Sequence, residues 1–384
     1  MKNLLIGIIL LFLFSCSSNP KNTIERNQEE LLIEKPHINY KLNSLPKDIN
    51  VIYFSDSRIQ TTFPDEVKGL LTNYYSFSKK NKYFPNIKFI NLKTAPSCSF
   101  AINRDAYNFI FIFKDSIDNK LYDLCLNRFT NRNVLVISDL EDNSAPKSFR
   151  RFLVNRNKDK YELIRFMNSY SNNAMVIDNE VTKDKYKIGD FWKKEFKKGI
   201  AEYKTFNETE SSQDIFSNLL LLEQSIKRKR KLSRIISKEL NHKSRTRQDI
   251  DTLFLSVNTQ EARSLKPALD YNYSADMAVF LANDWVGDVL FLKADEDLDG
   301  VISIDIPFML PTPLPNELRA LQSKSRSFAI GYDAFEIALL TKGARNLSKV
   351  TYKGLTGKIT FKDNSIDRKS TIFKIRDGTY EYLN

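Results

Sequence analysis

The chain has 384 residues, enough for two or three globular units or one two-lobed fold, and 42% of them are hydrophobic, which places it among core-forming chains. Histidine is confined to His37 and His242, and cysteine to Cys16, Cys98 and Cys125, so zinc centres and histidine-based catalysts have almost nothing to be built from. The net charge of +12 is local: residues 227–247 carry ten Lys/Arg against one acid, Glu239, and supply +9 of it, which excludes nucleic-acid binding as a property of the whole chain.

The first residues set the compartment. "MKNLLIGIILLFLFSCSS" starts positive at Lys2 and continues with an apolar run over residues 4–14. At 1.5 Å per residue that run is too short to cross ~30 Å of hydrocarbon as a helix, but it fits the apolar part of a secretory signal. It ends in "LFSC", which resembles a bacterial lipobox, with small Ser15 ahead of Cys16. Residues 1–15 therefore read as a lipoprotein signal peptide and Cys16 as the thiol that receives a diacylglycerol. Ser17 is not the Asp that usually retains such proteins at the inner membrane, so the expected place is the periplasmic side of a Gram-negative outer membrane, lipid-anchored. In that oxidising space Cys98 and Cys125 are a candidate disulfide, with two separate buried thiols as the alternative.

Residues 16–46 are polar and read as an acylated tether, which fully extended reaches ~100 Å. From Asp48 strands and helices alternate. "INVIYFS" reads as a buried strand, and "PDEVKGLLTNYYSFSKK" as a helix behind Pro64, Asp65 and Glu66. "NIKFINL", "NFIFIF" and "NVLVISD" read as further strands, continuous apolar runs of the kind that helices cover on both faces. A second set follows. It comprises the helix "DKYELIRFMNSYSN", the strand "AMVID", the helix "GDFWKKEFKKGIAEY" with Phe191, Trp192, Phe196 and Ile200 on its apolar side, and the strand "YKTFNE". The long helix "QDIFSNLLLLEQSIKRKRKLSRIISKEL", the strand "DTLFLSV", the helix "TQEARSLKPALDY" and the strand "MAVFLA" complete it. "DGVISIDIPFML" reads as a strand returning to the first set, ahead of the helix "SFAIGYDAFEIALLTKGA". The tail "GKITFKDNSIDRKSTIFKIRDGTYEYL" reads as a hairpin or meander turning at Asp363–Asn364 and Asp377–Gly378.

This order predicts an α/β protein of two doubly wound lobes, similar to type I periplasmic binding proteins, with a strand-rich C-terminal tail. The expected division is lobe 1 from 47–150 and 296–350, and lobe 2 from 151–295 and the C-terminal strands 351–384. Gly331 and Asp333 are expected to open the helix "YDAFEIALL", with Asp333 as its cap. Gly354 and Gly357 fit tight backbone before a strand. Asp249 and Asp251, ahead of a buried strand, are expected to cap or to pair with neighbouring arginines. Pro267 is expected at a helix break or first turn.

"RTRQDIDTLFLSVNTQEARSLKPALDYNYSADMAVFLAND", behind a long helix that ends basic, resembles the C-terminal domain of the LpoA family. "LDGVISIDIPFML", "AIGYDAFEIALL" and "GLTGKITFKDNSIDRKSTIFKIRDG" agree with it in order and spacing, so the resemblance covers most of residues 215–384. It implies an outer-membrane lipoprotein that binds and activates a class A penicillin-binding protein, without catalysis, cofactor or metal of its own. Full-length members carry an N-terminal helical repeat domain, and the tether is expected in its place.

Other motifs carry little. "DEDLDGVISID" imitates a calcium loop through Asp295, Asp297, Asp299 and Gly300, but Ile306 stands where a bidentate Glu is required and Pro307 follows, so an acidic turn is expected. No GxSxG, P-loop or HExxH is present. The basic residues Arg228, Lys229, Arg230, Lys231 and Arg234 could meet phosphate-bearing lipid or an acidic partner face, or form the solvated side of a helix. The alternative function is a small solute, an amino acid or muropeptide, held between the lobes. The loop "SDSRIQTTFPDE" offers Ser55, Ser57, Thr61 and Thr62 for it, but no glycine, and bulky Arg58 and Phe63.

Overall fold

A computed structural model describes residues 33–36, 42–54, 63–92, 106–112, 133–138, 149–154, 156–182, 185–207, 209–241, 246–272, 277–282, 296–321, 324–343, 350–362 and 365–383. The chain begins with β1 (Asp48–Tyr53), α1 (Asp65–Asn81), β2 (Asn86–Asn91), β3 (Tyr107–Ile112), β4 (Val134–Ser138) and β5 (Arg150–Leu153). It continues with α2 (Arg156–Met167), β6 (Ala174–Asn179), α3 (Lys185–Phe196), β7 (Ile200–Phe206), α4 (Ser212–Leu219) and α5 (Leu222–Ile236). Next come β8 (Thr252–Ser256), α6 (Thr259–Tyr271), β9 (Ala278–Leu281), β10 (Ile302–Asp305) and α7 (Arg326–Gly343). The last strands are β11 (Thr351–Gly354), β12 (Gly357–Lys362), β13 (Ser365–Lys369), β14 (Thr371–Arg376) and β15 (Thr379–Tyr382).

Two sheets result, one per lobe. The first has the order β11-β12-β13-β5-β4-β3-β1-β2 and the second β15-β14-β10-β9-β8-β6-β7. Within each, five parallel strands repeat one winding: β2-β1-β3-β4-β5 and β7-β6-β8-β9-β10. The expected pair of doubly wound lobes is therefore present.

The apolar runs are continuous because helices cover both faces of a strand. Met175 and Ile177 of β6 join one cluster with Phe216 and Leu265, while Ala174 and Val176 join the other with Leu163 and Trp192. Each of the larger buried side chains, such as Ile177 or Leu163, contributes roughly 2 kcal/mol. One polar pair is built into the first sheet: Asn50 of β1 donates to Asn108 of β3 at 2.8 Å, in register, inside the core.

Several expectations are corrected. β10 does not return to the first lobe; it lies between β9 and β14, buried along its length. The return starts at Ile306 and Pro307. β11, β12 and β13, expected in the second lobe, extend the first sheet because Ile366 pairs in parallel with Phe152 of β5. Only β14 and β15 of the tail belong to the second sheet. Strand β5, "RRFL", was not anticipated, since it shows neither alternation nor an apolar run.

The expected long helix breaks. Leu221 adopts φ 57°, separating α4 from α5. In a straight helix Leu220 and Leu222 would point about 200° apart; the turn puts both into one core cluster. The expected helix through Ile200 stops at Phe196, beside left-handed Lys197 and before Gly199, and Ile200 reaches the Trp192 cluster from β7.

Gly331 and Asp333 do not open a helix. α7 starts at Arg326, and both lie inside it. A Cβ on Gly331 would stand 1.7 Å from the Glu66 carbonyl oxygen, and one on Gly69 1.9 Å from that of Phe328, so α1 and α7 meet backbone to backbone. Buried Asp333 accepts from the amides of Leu355 and Thr356 at 3.0 and 2.7 Å and from the Thr356 hydroxyl at 2.6 Å, fixing the turn between β11 and β12. Gly357, at φ 121°, continues that turn. Pro267 stands inside α6. Asp249 pairs with Arg247 at 2.5 Å, whereas Asp251 accepts from Asn172 and Ser171 at 2.8 and 3.1 Å.

The expected tether is attached before it ends. Ile33 is buried with Phe308, Leu318 and Leu355. The Glu34 amide donates to the Lys353 carbonyl at 2.7 Å, and Lys35 pairs with Glu317 at 2.5 Å.

Candidate functional site

The winding order fixes where a site can form. In each lobe the order reverses beside the first strand, and crevices open at the carboxyl ends of the strands there. In the second lobe those ends are Asn179, the last residue of β6, and Val257 and Asn258 after β8, and they line a cavity of about 440 Å³ with Ala282, Ile304 and Ile330. The matching loop of the first lobe, with Ser55, Ser57, Thr61 and Thr62, lies outside the described residues.

The floor of this cleft is the hinge, where the chain crosses between lobes at Val154, Ile306 and Ser370. Two ion pairs span it. Arg368 of β13 donates through Nη2 to Asp159 Oδ2 of α2 at 2.6 Å, and through Nη1 to Ser370 Oγ at 2.6 Å. Ser370 Oγ in turn donates to Asp159 Oδ1 at 2.8 Å. Arg326, at the start of α7, donates through Nε to Asp305 Oδ1 at 3.0 Å and contacts Asp305 Oδ2 through Nη2. The Arg368 side chain is 4% exposed, and so is that of Asp305. Taking one member out of so dry a pair leaves a charge without compensation.

The rim is also internally bonded. Asn258 caps α6 by accepting from the Glu261 amide at 2.8 Å, and the Glu261 carboxylate in turn accepts from the Asn258 amide at 2.8 Å. Asn179 Nδ2 donates to the same Glu261 at 2.8 Å, and Thr182 Oγ1 donates to the Ser256 carbonyl at 2.7 Å. A helix start facing a cleft would ordinarily receive an anion; here its own side chains occupy that position. Asp159 and Asp305, the carboxylates of the lining, are committed to arginines. Such a cleft binds lobes to one another better than it carries out proton transfer.

Asp159, Arg368, Asp305 and Arg326 were not singled out in the sequence. Partners 209 and 21 residues apart leave no local pattern. Cys16, Cys98 and Cys125 lie outside the described residues, as do His37, His242 and Asp295. Among the described residues, no group of three His, Cys, Asp or Glu is placed to hold a metal ion. Asp299, from the acidic turn, accepts from the Asp377 amide at 2.8 Å. Arg228, Lys229, Arg230, Lys231 and Arg234 come together on α5, away from the cleft lining.

Residues 189–378 match the family described as "LppC putative lipoprotein". The fold is similar to the LpoA (YraM) C-domain from Haemophilus influenzae, a regulator of PBP1A, with TM-score 0.58 and 14% identity over 88% of this chain and 100% of that chain. Full-length LpoA from the same organism is similar with TM-score 0.59 and 12% identity, over 90% of this chain. This chain spans 60% of that protein's length. A protein from Rhodospirillum rubrum, described as a "putative branched-chain amino acid ABC transporter", is similar with TM-score 0.61 and 12% identity, over 88% of this chain and 100% of that chain. No curated protein sequence matches the chain. The expected two-lobed α/β fold is thus shared with a protein described as a regulator of PBP1A and with one described as a "putative branched-chain amino acid ABC transporter".

Proposed function

Because the chain belongs, through residues 189–378, to the LppC lipoprotein family and folds like the LpoA C-domain, we propose that it is an outer-membrane lipoprotein that binds and activates a class A penicillin-binding protein. Acylated Cys16 holds it to the periplasmic side of the membrane. The body touches a periplasmic region of the synthase and favours its active state, without turnover, cofactor or metal of its own. Activation of this kind requires tighter binding to the active conformer than to the resting one.

The observation that carries this reading is the family match over most of the second lobe, joined to an LpoA-like fold in both lobes. The self-bonded cleft supports it, since the work then falls to the exterior. The test is capture of purified class A synthases by the immobilised chain, with a class B transpeptidase as control. Retention of a class A enzyme alone is expected; equal retention of both, or of neither, contradicts the proposal.

One observation favours a second reading, a solute between the lobes: the cavity of about 440 Å³ stands at the position where this winding forms ligand crevices. Thermal melting with amino acids and muropeptides separates the two. A rise of several degrees with one small molecule supports the solute, and an unchanged midpoint removes it.

A further inference from the structure

Of the fifteen residues of α5, only Leu222 and Ser225 are buried. Beyond its first turn the helix is largely exposed, although Lys229 and Leu232 border a cavity shared with Leu240 and Thr246, and Ser233 Oγ accepts from the Leu240 amide at 3.4 Å. At about 100° per residue, Leu222, Ile226, Lys229, Leu232 and Ile236 share one side, while Lys227, Arg230, Lys231 and Arg234 share the opposite one and Arg228 borders it. Ile226, Leu232 and Ile236 are 36%, 49% and 51% exposed, and Ile235, at 69%, stands among the basic side chains. Among the described residues, the ion pair made from α5 stays within the helix, Lys227 to Glu223 at 3.4 Å. The helix thus presents a basic arc beside an aliphatic arc that is anchored at Leu222 and Ser225 and half exposed at Ile226, Leu232 and Ile236.

We infer that α5 is a membrane-surface helix that lies on a bilayer containing anionic phospholipid. Lipid phosphates meet its basic arc, and Ile226, Leu232 and Ile236 enter the headgroup–acyl boundary. Both arcs are then satisfied by one partner, which is the pattern of interfacial helices. A protein face fits less well: the apolar residues here are aliphatic, and half of the six cations are lysine, whereas protein interfaces favour Tyr, Trp and Arg and deplete Lys. The contact does not depend on synthase activation, and either can be lost while the other is measured.

The test is amide hydrogen exchange over residues 226–236 of the full chain, on vesicles of phosphatidylcholine alone and of phosphatidylcholine mixed with phosphatidylglycerol. Exchange is expected to slow about tenfold on the mixed vesicles and to recover in high salt. The combined variant Arg228→Glu, Arg230→Glu and Lys231→Glu should abolish the slowing, and Leu232→Ser with Ile236→Ser should weaken it, both with an unchanged melting midpoint. Equal exchange on the two vesicle types overturns the inference. So does protection that appears only when a class A synthase is added, which would make α5 a protein-docking helix.

Discussion

Asp333 shows what one buried carboxylate does in this molecule. Burial pushes its carboxyl up to about 6, although three hydrogen bonds from Thr356 and Leu355 pull the other way. The folded chain therefore holds this proton more tightly than the unfolded chain, in which the group titrates near 3.8. Stability should fall by about 3 kcal/mol as pH rises from about 4 through 6. Asp333→Asn should be less stable at pH 4, because its amide cannot accept from every donor, and flat across that window. Denaturant unfolding of both proteins between pH 4 and 7 measures this; parallel curves would contradict it. Glu317 works in the opposite sense. Burial opposes its charged form, but Lys35 and Tyr332 hold its carboxyl at about 2, so its contribution is present above about 4.5 and lost only in stronger acid. At the hinge, Arg368→Met strands Asp159 and should cost about 3 kcal/mol. Equilibrium unfolding checks that value, and a loss below 1 kcal/mol would show that the pair does not clamp the lobes.

Among the elements, the contact of α1 with α7 is the most constrained. A methyl group at Gly331 has no space beside the Glu66 carbonyl. Gly331→Ala should cost about 3 kcal/mol or more, read as a lowered urea midpoint with an unchanged slope. Strands such as β4 and β8 were legible in the sequence because of their apolar runs, and α6 because its apolar residues recur three and four apart, while its Asn258–Glu261 capping box went unread. Elements set by distant contacts were not legible. β5 exists because β4 and β13 flank it, and β10 joins the second sheet through β9 and β14. The start of α7 was legible within one residue in "SFAIGYDAFEIALLTKGA", whereas Asp333 has the chemistry of a cap but serves as an interior acceptor. The break at Leu221 falls at a residue type that seldom takes a positive φ. In the cleft, the capping residues carry a local signal, whereas Asp159, Arg368, Asp305 and Arg326 become a set only in three dimensions.

At the scale of the whole molecule, two similar lobes are clasped at a hinge, and the N-terminal segment is pinned to the first of them. From Cys16 to Ile33 an extended chain reaches about 60 Å, not the ~100 Å of a tether free to residue 46. Ile33→Asp should release the pin, bringing the Glu34 amide to solvent exchange rates while the core amides of β4 stay protected. Unchanged Glu34 protection would show that Lys35 and Glu317 suffice. Reach matters because the proposed partner must be met from the membrane that holds the anchor. The most direct measurement is the rate of glycan polymerisation by a purified class A penicillin-binding protein as this chain is titrated in. A saturable, several-fold rise, with no turnover by the chain alone, is the predicted result. A rate that stays flat at saturating chain, or product formed without the synthase, would contradict it.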